Sequence, residues 1–130
     1  MSESARLLAI EGLTIDLPAG ADRAHAVEDV SLDLCHDEIL CVVGESGSGK
    51  SVMARAILGL STSRHVRPSA GSIRYAGEDL LKAPAARMRD LRGSRIAMVF
   101  QEPMTALNPV LTVGRQIEEM IEMHRPEGRD

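Results

Sequence analysis

The octapeptide GESGSGKS, Gly44–Ser51, constrains this chain more than any other stretch. The run before it, ILCVV (Ile39–Val43), reads as a short buried strand. After it, Met53, Ala56, Ile57 and Leu60 fall at i, i+3, i+4 and i+7, which marks one face of a helix from about Lys50 to Leu60. The unit is therefore strand, glycine loop, helix, and it fits G-x-x-x-x-G-K-[ST]. Glycines let main-chain N–H groups turn inward as an anion-binding nest. The helix that follows aims its positive end at the same place. Lys50 can reach β- and γ-phosphates, and the Ser51 hydroxyl can ligate Mg²⁺.

The remaining segments supply a small α/β framework. LLAIEGLTIDL (Leu7–Leu17) alternates in part with period two and reads as a strand, with Pro18 and Gly20 opening a loop that runs to His25. AVEDVSLDL (Ala26–Leu34) is a second strand. STSRHVRPSAG (Ser61–Gly71) reads as a polar loop and SIRYAG (Ser72–Gly77) as a short strand. PAARMRDLRG opens on Pro84 and closes on Gly93, ordinary helix punctuation, with Arg87, Arg89, Arg92 and Arg95 on a solvated face. RIAMVFQ (Arg95–Gln101) reads as a buried strand. In TVGRQIEEMIEMHR, Ile117, Met120 and Ile121 share one helical face, and the methionines read as core filler.

Composition narrows the function classes. The chain has 130 residues, 44% of them hydrophobic, enough for one modest globular domain. A net charge of −4 with pI near 5.6 argues against a general nucleic-acid binder. Tyr75 and Phe100 are the only aromatics, which leaves little for a base-stacking surface. The amino-terminal residues lack the apolar length of a signal peptide, and no run is long enough to span a bilayer. Cys35 and Cys41, a lone pair in strand-like segments of a chain with no export signal, read as free, reduced thiols, and a metal reading of Cys35, His36 and Cys41 lacks zinc-site spacing.

The phosphate loop alone does not name a reaction. A strand ending in Gln101 could aim that amide at a γ-phosphate, and Gln can orient an attacking water because it both donates and accepts hydrogen bonds.

Taken together, VVGESGSGKS and VFQEPMTALNPVLTVGRQIEE resemble the ATP-binding subunits of ABC transporters, and the dipeptide/oligopeptide importer branch in particular. AVEDVSLDL and GSIRYAGEDLL share the likeness, so it extends over nearly the whole chain. The resemblance implies a P-loop NTPase (ABC ATPase) fold in part: an antiparallel β-subdomain, the phosphate-loop strand and helix, and the start of a helical subdomain. It implies ATP and Mg²⁺ as ligands. Gly44, Glu45, Ser46, Gly47, Ser48, Gly49 and Lys50 would form the Walker A cradle, with Ser51 and Gln101 at the metal. Gln101 would be the Q-loop residue, relaying nucleotide state, and residues 101–109 would lie near a permease coupling helix. The implied partners are transmembrane permease subunits and a second ATP-binding subunit, identical or paralogous. The implied location is the cytoplasmic face of the cell membrane.

Two departures from the family pattern shape the expectations. The family stacks an aromatic ring on adenine from a loop ahead of Walker A, yet no Phe, Tyr or Trp precedes Tyr75 here. His25 either takes that role or is an ordinary loop histidine. The signature LSGGQ and an apolar strand ending in Asp-Glu are also missing from the 130 residues. The chain is thus expected to be the N-terminal portion of a nucleotide-binding domain, marginal in stability and nearly inactive alone. In that case it would at most bind nucleotide or dock on a permease. Another P-loop enzyme, such as a small-molecule kinase, is the remaining alternative, and it would leave QEPMTALNP without a role.

Overall fold

The computed structural model describes residues 6–60, 63, 65–102 and 107–124. The chain divides into two compact units, Met1–Arg89 and Asp90–Asp130.

The first unit is built on a four-stranded antiparallel sheet in the order β2-β1-β3-β4, with β1 at Arg6–Asp16, β2 at His25–Cys35, β3 at Arg67–Tyr75 and β4 at Glu78–Asp79. This is the antiparallel subdomain that the sequence implied. Leu13 and Ile15 alternate along β1, and a register shift between Ile10 and Leu13 restores the pattern after Ile10, so that all three are almost fully buried, as is Ile73 of β3. Ala26 and Val27 of β2 and Met53 of the first helix are buried as well.

Bulges interrupt the ladders where Gly12 (φ +57) and Asp29 (φ +45) take left-handed backbone. Gly71 is obligatory at its bulge, since a Cβ there would stand 2.5 Å from the carbonyl oxygens of Glu11 and Gly12. The β3–β4 hairpin turns through Ala76 (φ +48) and Gly77 (φ +85), the signs of a two-residue type I′ turn.

Helix α1, Lys50–Ile57, follows the glycine loop and stops short of the expected Leu60. Its end is a Schellman motif, with Gly59 N–H donating to Ala56 O and Leu60 N–H to Arg55 O, each at 2.9 Å and with Gly59 at φ +61. Helix α2, Ala85–Leu91, buries Met88 and Leu91. Arg87 is not merely solvated: its guanidinium forks onto the Glu78 carboxylate at 2.9–3.2 Å.

In the second unit, α3 spans Val113–His124. Thr112 Oγ1 accepts the Arg115 N–H at 3.3 Å, and the Gln116 amide donates to the carbonyls of Asn108 and Leu111 at 3.1 Å while accepting the Asn108 N–H. Gln116 thereby closes the turn that starts the helix. The apolar face carries Ile117, Met120 and Ile121 as the periodicity predicts, but all three are about half exposed, so here Met120 does not fill a core.

Several sequence expectations are corrected. Ile39–Val43 forms no strand: Ile39 is 93% and Val43 89% exposed. Arg95–Gln101 likewise is not a buried strand; Ile96 makes one isolated bridge to Arg92, and Val99 is 96% exposed. Both runs have strand composition, but a strand needs neighbouring strands to satisfy its backbone groups, and among the described residues no β-strand pairs with either, the Arg92–Ile96 bridge aside. Cys41 accordingly lies outside any strand, whereas Cys35 ends β2. The loop read over Ser61–Gly71 gives way to β3 at Arg67, because Pro68 and Ala70 pair with Ile15 and Thr14 of β1. His25 is the first residue of β2, registered with Asp16, and not the last of a loop.

Candidate functional site: the glycine loop

The loop is held from both ends by the elements around it. Beneath it, Ala26 of β2 comes so close to Gly49 that a Cβ would stand 2.1 Å from the Ala26 carbonyl oxygen and 3.0 Å from Val27 Cγ2. Gly49 (φ +92) is also the N-cap of α1 and offers no side chain to cap it, while its carbonyl accepts the Met53 N–H at 2.9 Å. The first N–H groups of α1 therefore lack a capping side chain on that residue, and no acidic residue stands in the first turn. That is the electrostatic setting in which a helix start attracts phosphate. Gly47 (φ +80) provides the other left-handed turn, with nothing within 4 Å of where its Cβ would be. Ser48 N–H donates to Glu45 O at 3.2 Å, which folds the loop back on itself.

Lys50 is turned inward. Its ammonium donates to Gly44 O at 2.8 Å, Glu45 O at 2.7 Å and Ser48 Oγ at 3.0 Å. The cation thus lies across the loop's own carbonyls, within reach of anything that the loop's amides enclose. Gly44 is confined in turn, since a Cβ there would stand 2.7 Å from Ser48 Oγ. Ser46 and Ser51 are exposed, with Ser51 one residue into α1 beside Lys50.

Two contacts lie outside the motif. Arg23, in the β1–β2 connection, donates its guanidinium to the Gly47 carbonyl. No sequence pattern flagged it, because a lone basic residue in a turn carries no spacing signal. His25 stands two residues further on, with Nδ1 2.9 Å from Asp16 Oδ1. The same carboxyl oxygen accepts Ser69 Oγ at 2.7 Å, and these contacts, the Ser69 hydrogen bond foremost, hold the Asp16 pKa below its ordinary value. An edge of the His25 ring is therefore committed to the sheet.

Gln101, in the second unit, is exposed and follows a run without ladder partners. Of the loop expected over residues 101–109, Pro103, Met104, Thr105 and Ala106 lie outside the described residues.

The ABC transporter family pattern matches residues 27–127, most of the chain and the whole of the glycine loop. The chain belongs to the ABC transporter family. Among curated ABC relatives, a Brucella abortus protein provisionally named a peptide import ATP-binding protein is 47% identical over 98% of this chain and 39% of its own length. The dipeptide transport ATP-binding protein of Bacillus subtilis is 39% identical over 92% of this chain and 36% of its own length. The chain thus spans about two fifths of the length of these relatives. Among solved structures, a dimeric ATP-binding cassette in a post-hydrolysis state with ADP and Pi superposes at TM-score 0.78 and 23% identity, covering 95% of this chain and 50% of that one. An ATP-binding subunit of an ABC transporter superposes at TM-score 0.58 and 22% identity, covering 92% and 43%. Both show that the fold is that of an ABC ATPase, present here in part.

Proposed function

We propose that this chain is the phosphate-loop portion of a nucleotide-binding domain, one that binds ATP with Mg²⁺ and, in the complete subunit, hydrolyses it to drive import of peptides or similar small solutes. The observation that carries the reading is the inward Lys50 over a loop braced by Ala26 and Gly49. Main-chain amides from Gly44 to Lys50, including those of Glu45, Ser46, Gly47, Ser48 and Gly49, would orient the β- and γ-phosphates. The Lys50 ammonium would exchange neutral carbonyl acceptors for phosphate oxygens, which are stronger acceptors for a charged donor.

Hydroxyl and amide oxygens are donors of the kind that Mg²⁺ accepts. Among the described residues no three His, Cys, Asp or Glu side chains gather to hold a metal. Mg²⁺ asks little of the protein, taking one or two side-chain oxygens along with phosphate and water. Ser51 would supply a hydroxyl next to Lys50, and Gln101 a second oxygen. The metal would neutralise charge on the bridging phosphates. Gln101 would also orient the attacking water and pass nucleotide state through residues 101–109 to a permease. His25, with one ring edge fixed by Asp16, would offer its face to adenine. A second ATP-binding subunit would complete the site, at the cytoplasmic face of the membrane. Among the described residues no helix is long and apolar enough to cross that membrane.

The exposed Ile39–Val43 and Val99 favour a narrower reading for the 130 residues by themselves: nucleotide binding without turnover. The test is titration calorimetry with ATP, ADP and AMP in Mg²⁺. Affinity should fall in that order, because the loop reads phosphates. Equal affinity for AMP and ATP would contradict the proposal.

A further inference from the structure

We propose that Arg23 is a second phosphate-directed cation of this loop, acting beside Lys50 on the polyphosphate of a nucleoside triphosphate. The inference rests on the phosphate-loop reading and adds a residue that the motif does not contain. Arg23 and Lys50 do the same thing from two sides: each donates to main-chain carbonyls of Gly44–Ser48, Arg23 to Gly47 and Lys50 to Gly44 and Glu45. Lys50 is the cation whose phosphate role the motif defines. Arg23 meets the same loop from the β1–β2 connection.

Its position is fixed by the hairpin. Leu17 N–H donates to Ala24 O at 2.9 Å, and the Asp16–His25 pair follows directly. The backbone of Arg23 is therefore anchored while its side chain stays exposed. Among the described residues no carboxylate pairs with it, so its charge is not spent within the protein. The Gly47 carbonyl uses part of a five-donor fork, which leaves further N–H groups of Arg23 for an anion. A phosphate oxyanion outcompetes a neutral carbonyl for a guanidinium and can engage it bidentately.

The test separates charge from hydrogen bonding. Arg23→Ala and Arg23→Gln are compared with the parent in the full chain, by binding of non-hydrolysable ATP, ADP and AMP at low and high salt. Arg23→Gln keeps an N–H donor for the Gly47 carbonyl but removes the charge. Both variants are expected to lose about tenfold in triphosphate affinity. They should lose least for AMP and show a weaker salt dependence than the parent. If Arg23→Gln binds the triphosphate like the parent, Arg23 only shapes the loop and the inference is overturned. An equal loss for all three nucleotides, with unchanged salt dependence, overturns it as well. Triphosphate binding lost in Lys50→Ala but kept in Arg23→Gln overturns this inference and leaves the phosphate-loop reading standing, whereas no triphosphate binding by the parent overturns both.

Discussion

Gly49 and Ala26 are in backbone contact: the glycine Cα lies so near the Ala26 carbonyl oxygen that a Cβ would intrude to 2.1 Å. The phosphate loop is thereby seated on the start of β2, and a residue with φ +92 becomes the hinge between loop and helix. Gly49→Ala is expected to cost at least about 2 kcal/mol through left-handed strain and backbone clash together. Gly47→Ala, with φ +80 but open space around it, should cost only about 1 kcal/mol. Thermal melts of the two variants would check this; equal destabilisation would show that the Ala26 contact does not govern the loop.

The Asp16–His25–Ser69 cluster predicts a pH dependence. Ser69 first, then His25, hold the Asp16 pKa below its ordinary 3.8. A depressed folded pKa stabilises the native state above the unfolded value, and that contribution fades as pH falls through the folded one. The stability gap between the parent and Asp16→Asn should therefore be open at about pH 6 and narrow at about pH 3. Denaturant titrations at both pH values measure it, and a gap that does not change on acidification would count against the cluster.

The glycine loop and α1 were legible because their signals are local: a fixed spacing, then a 3.6-residue period. Strands β1, β2 and β3 were legible too, apart from their ends, but the two-residue β4 was not, being too short to carry a period. β3 begins at Arg67 because of its pairing with β1, a non-local fact that a stretch rich in Ser, Arg and Pro does not announce. Ile39–Val43 and Arg95–Gln101 failed in the opposite way. Their composition says buried strand, but burial requires partner strands, and periodicity within one segment cannot report whether a neighbour exists. Arg23 was invisible because its contact with Gly47 depends on how a hairpin folds over a loop distant in sequence.

The exposed apolar runs predict self-association. Ile39 and Val43 offer unpaired, hydrophobic backbone of the kind that recruits further strands. The 130 residues expressed as such should show concentration-dependent association by light scattering, and Ile39→Lys with Val43→Lys should reduce it. A monodisperse monomer at all concentrations, in parent and variant alike, would refute this.

Stability should reside in the sheet core and not in surface ion pairs. Leu13 is 0% exposed between β2 and β3, and Leu13→Ala should cost about 2–5 kcal/mol. The Arg87–Glu78 pair is bidentate but 46% and 36% exposed, so Glu78→Gln should cost less than about 1 kcal/mol. Denaturant midpoints for the two variants would rank them; a larger loss from Glu78→Gln would reverse this view of the fold.

The most direct measurement is triphosphate binding by Lys50→Ala beside the parent protein, in Mg²⁺. The ammonium that now spans Gly44 O, Glu45 O and Ser48 Oγ should be the principal charged donor to the phosphates. Its removal should weaken ATP binding by at least about tenfold. Unchanged ATP affinity in Lys50→Ala would contradict the reading of this loop as a phosphate site.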